Sequence, residues 1–366
     1  MREVPTRIER LPEQYFTALL ARVAAAAAEE GEPLVDLGRG NPEVGPPQHV
    51  IRALAESASR ADVHGYAPFS GLPELKEALA ARYRNLYGVE VDPAREVAVL
   101  PGTKTGLMEF ALCAVDRGAT IVLPDPGYPD YFSAVALAGA RHVPFSGFDA
   151  EAAALYLNFP SNPIAAAVPD GLFEEAVRWA DRAGAWILHD FAYGDLVFDG
   201  RRPQSFLATD GARDVGIELF SMSKSYGMAG WRLGFAVGNT ELVRRIETLQ
   251  DHAFAGIFRP VQEAGIAALT GPQDSVEERR ATYERRRDRA LTALENLEAQ
   301  SEGTFFVWFR LPSGVTVEQL LIEHRVALAP GEGFGARGAG WARLSLAVSD
   351  ATLELGLERL DRVVHA

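Results

Sequence analysis

The chain has 366 residues, enough for two apolar cores rather than one. With 48% apolar and 23% charged residues, it has the composition of an ordinary globular protein. A net charge of −14 argues against general affinity for nucleic acid or an anionic membrane, since both need a basic footprint; an anionic ligand would have to meet positive charge gathered locally.

The first residues, M-R-E-V-P-T-R-I-E-R, are charged and lack the apolar centre of a secretion signal. Pro12 to Glu30 reads as an alanine-rich helix that packs on something, and its apolar run Ala24 to Ala28 is far short of the ~20 residues of a membrane span. The single cysteine, Cys113, allows no intrachain disulfide, which fits a reducing, cytoplasmic setting. From Asp36 a glycine- and proline-rich loop, L-G-R-G-N-P-E-V-G-P-P, predicts irregular backbone. Pro47 to Ala58 reads as a helix, a loop carrying Tyr66 follows, and Leu72 to Tyr87 is an amphipathic helix opened by Pro73. On that helix Lys76 is expected to be exposed.

An alternation of strands and helices then begins. Val97 to Leu100, Thr120 to Leu123, Ala154 to Phe159, Trp186 to Leu188, Ile217 to Phe220 and Gly234 to Val237 read as strands. Helices are expected over Thr103 to Val115, Tyr131 to Ala138 and Gly171 to Ala183, and from Thr240 onward. This predicts an α/β fold with a mostly parallel sheet covered on both faces. Beyond Thr270 come a long helix dense in both charge signs, the strand T-F-F-V-W-F-R-L, a helix near Val317 to His324, the strand W-A-R-L-S-L-A-V and a final helix: a smaller α+β unit. The expected division is an N-terminal arm over 1–44 packing with the small domain, a large domain over 45–270 and a small domain over 271–366.

The residues with chemistry follow strand ends: Gly102, Tyr128, Asn162, Asp190 and Lys224. In open α/β sheets the ligand crevice lies outside those ends. Only three lysines exist, Lys76, Lys104 and Lys224, and Lys224 stands between two apolar runs in I-E-L-F-S-M-S-K-S-Y-G-M-A-G-W-R-L-G-F. A desolvated amine there suits imine chemistry with a carbonyl. Gly102-Thr103-Lys104 is a strand–glycine–helix junction that favours a phosphate, to which Ser221 and Arg232 could add a hydroxyl and a fork. Asp190 ends an apolar strand and needs a cationic partner, such as a protonated ring nitrogen, or a raised pKa; His189 points to the opposite side of the strand. Tyr128 offers a flat face, and Asn162 and Tyr193 offer donors to a ring oxygen. Together these describe a site for pyridoxal 5'-phosphate.

The sequence resembles the class I/II aminotransferases of pyridoxal phosphate fold type I. The pieces that carry the resemblance are G-N-P at Gly40, Y-A-P-F-S-G-L-P-E-L-K from Tyr66, P-G-T-K at Pro101, P-D-P-G-Y-P at Pro124, N-P at Asn162, H-D-F-A-Y at His189, S-M-S-K at Ser221, G-W-R-L-G-F at Gly230 and W-A-R-L-S at Trp341. H-D-F-A-Y-G-D-L, S-Y-G-M-A-G-W-R and G-I-F-R-P-V-Q-E are similar to the LL-diaminopimelate aminotransferase-like branch. The resemblance implies transfer of an amino group from an L-amino acid to a 2-oxo acid, with 2-oxoglutarate or glutamate as one partner. It implies that Lys224 carries the cofactor aldimine and shuttles a proton, that Asp190 keeps the pyridine nitrogen protonated and that Asn162 and Tyr193 hold the ring oxygen. It also implies that Tyr128 stacks on the ring and that Thr103, Lys104, Ser221 and Arg232 hold the phosphate, joined by Tyr66 from the neighbouring subunit of a homodimer with shared sites. The resemblance further implies that Arg343 pairs with the substrate carboxylate near the backbone of Gly40 and that Tyr15 faces the substrate. Rival readings are a lyase or decarboxylase on the same fold and a non-catalytic sensor. Three departures stand out: Asn162-Pro163-Ile164-Ala165 where the family has N-P-T-G, Gly227 where asparagine is common, and a shortened segment between Pro144 and Leu155.

Overall fold

The structure, a computed structural model, describes residues 4–364. In chain order, the arm holds a one-turn helix α1 (Thr6–Glu9), α2 (Tyr15–Ala28) and a short strand β1 (Val35–Asp36). Next come α3 (Gln48–Ala58), α4 (Pro73–Tyr87), β2 (Val97–Leu100), α5 (Thr103–Ala114), β3 (Thr120–Leu123), α6 (Asp130–Ala138), β4 (Arg141–Pro144) and β5 (Ala154–Asn158). They are followed by α7 (Leu172–Ala183), β6 (Trp186–Phe191), α8 (Ala212–Val215), β7 (Gly216–Ser221), the single turn α9 (Met222–Ser225), β8 (Gly234–Gly238), α10 (Thr240–Ala253) and α11 (Arg259–Thr270). The C-terminal part consists of α12 (Asp274–Ala293), β9 (Ala299–Gln300), β10 (Phe306–Arg310), α13 (Val317–Ile322), β11 (Val326–Ala327), β12 (Ala329–Pro330), β13 (Trp341–Ser345) and α14 (Asp350–Val364).

Among the described residues the largest sheet has seven strands in the order β2-β8-β7-β6-β5-β3-β4. All neighbours run parallel except β8, which is antiparallel to both β2 and β7. The central strands β5, β6 and β7 are buried almost throughout because helices cover both faces, so their side chains have no wet side to alternate toward. One apolar core lies between the sheet and α4, α7 and α11; a second lies between the opposite face and α5, α6 and α10. A smaller antiparallel sheet, β12-β13-β10-β9, packs against α12 and α14. The arm lies on this smaller part: β1 pairs with β11, Arg325 Nη1 donates to the Ala26 carbonyl at 2.7 Å, and Arg22 pairs with Glu318.

Three local features differ from the sequence reading. Strand β4 is not among the expected strands, because R-H-V-P is an exposed edge strand without an apolar alternation; the shortened segment is the link from it to β5. Helix α11 is not among the expected helices either, although it covers α3 and α4. Lys76 is buried at 6% exposure rather than solvated: Glu247 of α10 reaches it, with Oε1 2.6 Å from Nζ, and neutralises it.

Candidate active site

A cavity of about 660 Å³ opens at the C-terminal ends of the parallel strands, between the large sheet, β13 and the arm. One end of it is built around the junction of β2 and α5. Strand β2 runs into Gly102, whose φ of +87° turns the chain into α5. A side chain at Gly102 would collide with the Arg232 guanidinium, so glycine there keeps a cradle open beside the start of α5. Arg232 takes the left-handed conformation, φ +57°, and its Nη1 donates to the Ala229 carbonyl at 2.8 Å. Thr103, Ser221 and Ser223 line the same end, and the Ser221 hydroxyl caps α9 by accepting from the Ser223 amide at 3.2 Å.

Lys224 sits on α9, with its Nζ donating to the Gly40 carbonyl at 3.0 Å. Burial, then the positive charges of Arg343 and Arg232, bring this amine down to about 8, against the pull of Asp190. Asp190 stands across the cavity on β6. Its Oδ2 accepts from the Tyr131 hydroxyl at 2.8 Å and its Oδ1 from the Ala192 amide at 3.2 Å, yet burial pushes its pKa up. No arginine or lysine among the described residues pairs with it, so the carboxylate suits a cationic ring nitrogen. His189 faces away, its Nδ1 2.8 Å from Glu218 Oε2 on the far side of the sheet.

At the other pole stands Arg343, on β13 and 1% exposed. Its Nη1 donates to Asn162 Oδ1 at 2.7 Å and its Nη2 to the Gly38 carbonyl at 3.3 Å. Its guanidinium carbon lies 3.9 Å from the Phe306 ring centroid and 4.8 Å from that of Phe334. Its Nε has no partner and no carboxylate pairs with it among the described residues. A buried guanidinium without a counter-ion suits an anionic ligand, and its fork suits a carboxylate.

Tyr128 and Tyr193 line the cavity between these poles; burial raises the pKa of both, so their hydroxyls keep their protons. Lys104 lines it too, but its Nζ is held by Asp130 Oδ1 at 2.9 Å, an oxygen that also accepts from Gln14 Nε2 at 3.1 Å. Lys104 is thus engaged with an acid rather than free for a phosphate. Tyr15 does not face the cavity: its hydroxyl donates to the Pro330 carbonyl at 2.8 Å and its ring packs on Phe334. Successive residues on a helix point about 100° apart, and it is Phe16 that looks inward. Tyr66 is 87% exposed and lies outside the cavity of its own chain.

Sequence reasoning missed Asn158, Ser223, Phe16 and Phe306, all of which line the cavity. Asn158 was readable in part, as the last residue of an apolar strand; it donates to the Asp190 carbonyl at 2.8 Å and accepts from the Asn162 amide at 2.7 Å, locking two strand ends together. The N-P-I-A departure keeps a glycine-like path: Ala165 adopts φ +54° and its carbonyl accepts from Glu302 and Gly303.

The family model for aminotransferase class I and II matches residues 32–360. The chain belongs to this family. It is 41% identical over 379 residues to the L-glutamine--4-(methylsulfanyl)-2-oxobutanoate aminotransferase of Bacillus subtilis, covering 97% of this chain and 95% of that protein. It is 37% identical to the LL-diaminopimelate aminotransferase of Moorella thermoacetica, covering 98% and 97%. Among solved structures, the substrate-bound BacF structure from Bacillus subtilis superposes with a TM-score of 0.93 at 33% identity, covering 100% of this chain and 98% of that one. Class I and II aminotransferases depend on pyridoxal phosphate, and the chain is accordingly a transaminase that uses this cofactor. The cradle at Gly102, the buried Asp190 carboxylate held by neutral donors and the softened Lys224 amine fit such a group.

Proposed function

We propose that this aminotransferase works on an L-amino acid with a long, uncharged side chain and uses glutamate and 2-oxoglutarate as the other amino–oxo pair. The observation that carries the reading is the disposition of charge around the cavity: a cation at Arg232 and another at Arg343, neither ion-paired among the described residues, and an apolar wall on the side of the arm. That wall is the inner face of α2, where Phe16, Leu19, Leu20 and Val23 line the cavity. The cations at its rim are occupied, Lys104 by Asp130 and Arg39 by Asp36 at 3.3 Å. Arg39 is the looser of the two pairs by distance, so it is the group that turns to the second carboxylate of glutamate. The thioether oxo acid in the name of the Bacillus subtilis relative supports the same choice of side chain.

Bound pyridoxal phosphate supplies the electron sink that makes the substrate α-proton removable and carries the amino group between the two substrates. The chain supplies the rest. Thr103, Ser221, Ser223 and Arg232 hold the phosphate at the start of α5. Asp190 balances the charge of the ring nitrogen. The Asn162 Oδ1 is taken by Arg343, which leaves its Nδ2, with the Tyr193 hydroxyl, to donate to the ring oxygen. Arg343 orients the α-carboxylate against Gly38 and Gly40. The Lys224 amine, brought down to about 8 by burial, would hold the cofactor at its aldehyde carbon and, once free, take and return the proton at the substrate α-carbon.

We assign residues 1–44 to an arm, 45–270 to the cofactor-binding part and 271–366 to a smaller part; the seven-stranded sheet within 97–238 and the four-stranded one within 299–345 support that division. We also propose a homodimer. Tyr66 and Phe69 form an exposed aromatic pair at 6.2 Å, and Phe258 is 48% exposed over His64. Such a patch fits a second copy of the chain that receives Tyr66 at its phosphate pole. A cytoplasmic location is supported by the lone Cys113; no helix among the described residues is long and apolar enough to cross a membrane.

The deciding experiment is a single turnover. Given amino donor without acceptor, the enzyme should release one 2-oxo acid per site and stop; a lyase or decarboxylase would continue. Lys224→Ala should show neither the yellow absorbance of bound cofactor nor the burst. Transfer at a near wild-type rate by this variant would remove Lys224 from the mechanism.

A further inference from the structure

Beneath the cavity floor lies a second polar cluster that no substrate reaches. Its centre is Arg82 on α4, 6% exposed. The guanidinium makes a fork: Nη2 pairs with Asp195 Oδ1, and Nη1 donates to the Tyr226 hydroxyl at 2.8 Å. Asp195 is 8% exposed and Tyr226 1%. The guanidinium carbon also lies 5.0 Å from the Phe220 ring centroid and 5.6 Å from that of Tyr226. The Tyr226 hydroxyl in turn donates to Gln273 Oε1 at 2.8 Å, just before α12 begins.

The sequence positions of these partners give the cluster its meaning. Asp195 lies two residues after Tyr193, in the turn that leaves β6. Tyr226 lies two residues after Lys224 and closes α9. Phe220 immediately precedes Ser221 on β7. A single side chain therefore touches the segments that carry Tyr193, Ser221 and Lys224, and none of its contacts is to the cavity. Arginine suits the task because its planar fork is rigid and always charged. Burial enforces the register: if either turn slid, a buried charge or hydroxyl would be stranded, and such a loss is costly.

We propose that Arg82 is a positioning residue that holds the Tyr193 turn and the Lys224 turn in fixed register, so that the amine and the phenol meet the cofactor together. This rests on the assignment of Lys224 and Tyr193 made above. In the folded chain the Lys224 Nζ lies 5.8 Å from the Tyr193 ring centroid, and that spacing is what the fork maintains.

The test uses Arg82→Lys, which keeps the charge and loses the fork, and Tyr226→Phe, which keeps the ring and the Arg82–Asp195 pair. In the cofactor-free protein, the pH profile of Lys224 acylation is followed by peptide mass spectrometry, with Lys76 and Lys104 as internal references. The groups facing the Lys224 amine are Arg343, Arg232, Asp190 and Tyr193, and neither variant alters them. A slackened Lys224 should become better hydrated, and its midpoint should rise toward that of an ordinary lysine in both variants. With cofactor, kcat should fall roughly 10- to 100-fold while KM for the amino acid stays within about twofold. If Arg82→Lys does not fold, Tyr226→Phe decides alone. Folded variants with an unshifted Lys224 midpoint and kcat within about twofold of wild type would overturn the proposal. If Lys224→Ala nonetheless abolishes turnover, only the role of Arg82 is lost; if Lys224→Ala remains active, the assignment of the site is lost instead.

Discussion

At the scale of single residues, the cavity holds buried charges that, among the described residues, have neutral hydrogen-bond partners but no paired counter-ion. Arg343 is the clearest, fully buried with only neutral acceptors around it. Such a group destabilises the fold, and in the proposed assignment a substrate carboxylate would relieve it. Arg343→Gln should therefore raise KM for the amino acid by roughly 10- to 100-fold, the worth of a hydrogen bond to a charged group of about 1.5–3 kcal/mol. The same variant should raise the melting temperature of the cofactor-free protein, because it removes an uncompensated buried charge. A KM unchanged within experimental error would show that Arg343 does not bind the carboxylate. This arginine was legible in the sequence through W-A-R-L-S, whereas its aromatic box of Phe306 and Phe334 was not, because one ring comes from the paired strand β10 and the other from the turn before β13, and their approach depends on strand pairing.

At the scale of elements, two packing contacts make measurable statements. Between α5 and α10, Glu109 accepts from Gln250 Nε2 at 3.1 Å, and burial raises it to about 7. Gln250 Oε1 has no partner among the described residues, which a protonated Glu109 would supply. The folded state keeps a proton that the unfolded chain releases near pH 4.3, so this group costs stability as pH rises between about 4.3 and 7. Glu109→Gln should match wild type in urea unfolding at pH 5 and exceed it by roughly 1–3 kcal/mol at pH 8. A constant difference at both values would mean that Glu109 is ionised throughout. The second contact is Gly227, at φ +68°, where an added Cβ would lie 2.6 Å from the Val44 carbonyl oxygen. The loop after Gly40 is pressed on this glycine by Arg279, whose Nη1 and Nη2 donate to the Val44 and Gly45 carbonyls at 2.9 and 3.2 Å. Gly227→Asn, although asparagine tolerates this backbone, should displace the loop, weaken the Gly40–Lys224 contact and lower kcat by about tenfold. Full activity would show that the loop yields freely. The sequence marks Gly227 as unusual but cannot supply the reason, which lies in a loop more than 180 residues earlier.

At the scale of the whole molecule, the exposed aromatic patch around Tyr66 is the feature that a lone chain leaves unexplained. If the proposed dimer forms, sedimentation should give the mass of two chains at micromolar concentration. Tyr66→Phe should weaken cofactor binding by roughly 10-fold, one charge-assisted hydrogen bond, without changing that mass. A monomer with full activity would refute the shared site.

Most of the strands and helices, the glycine turn into α5 and the burial of Lys224 and Asp190 were readable from the chain, because each depends on a local pattern; β4, an exposed edge strand, and α11 were not. Apolar runs must be buried, glycine is needed where the backbone turns left-handed, and a lysine between apolar runs has no wet surface to occupy. What only the tertiary structure decided is where charge is satisfied. Lys104 lines the cavity but is held by Asp130, Lys76 is buried against Glu247, Tyr15 turns away while Phe16 turns in, and Arg82 bridges Asp195, after β6, and Tyr226, after α9. Those outcomes depend on which distant oxygen or ring arrives next to a side chain. Local pattern shows that a partner is needed, and only the packing of the whole chain selects it.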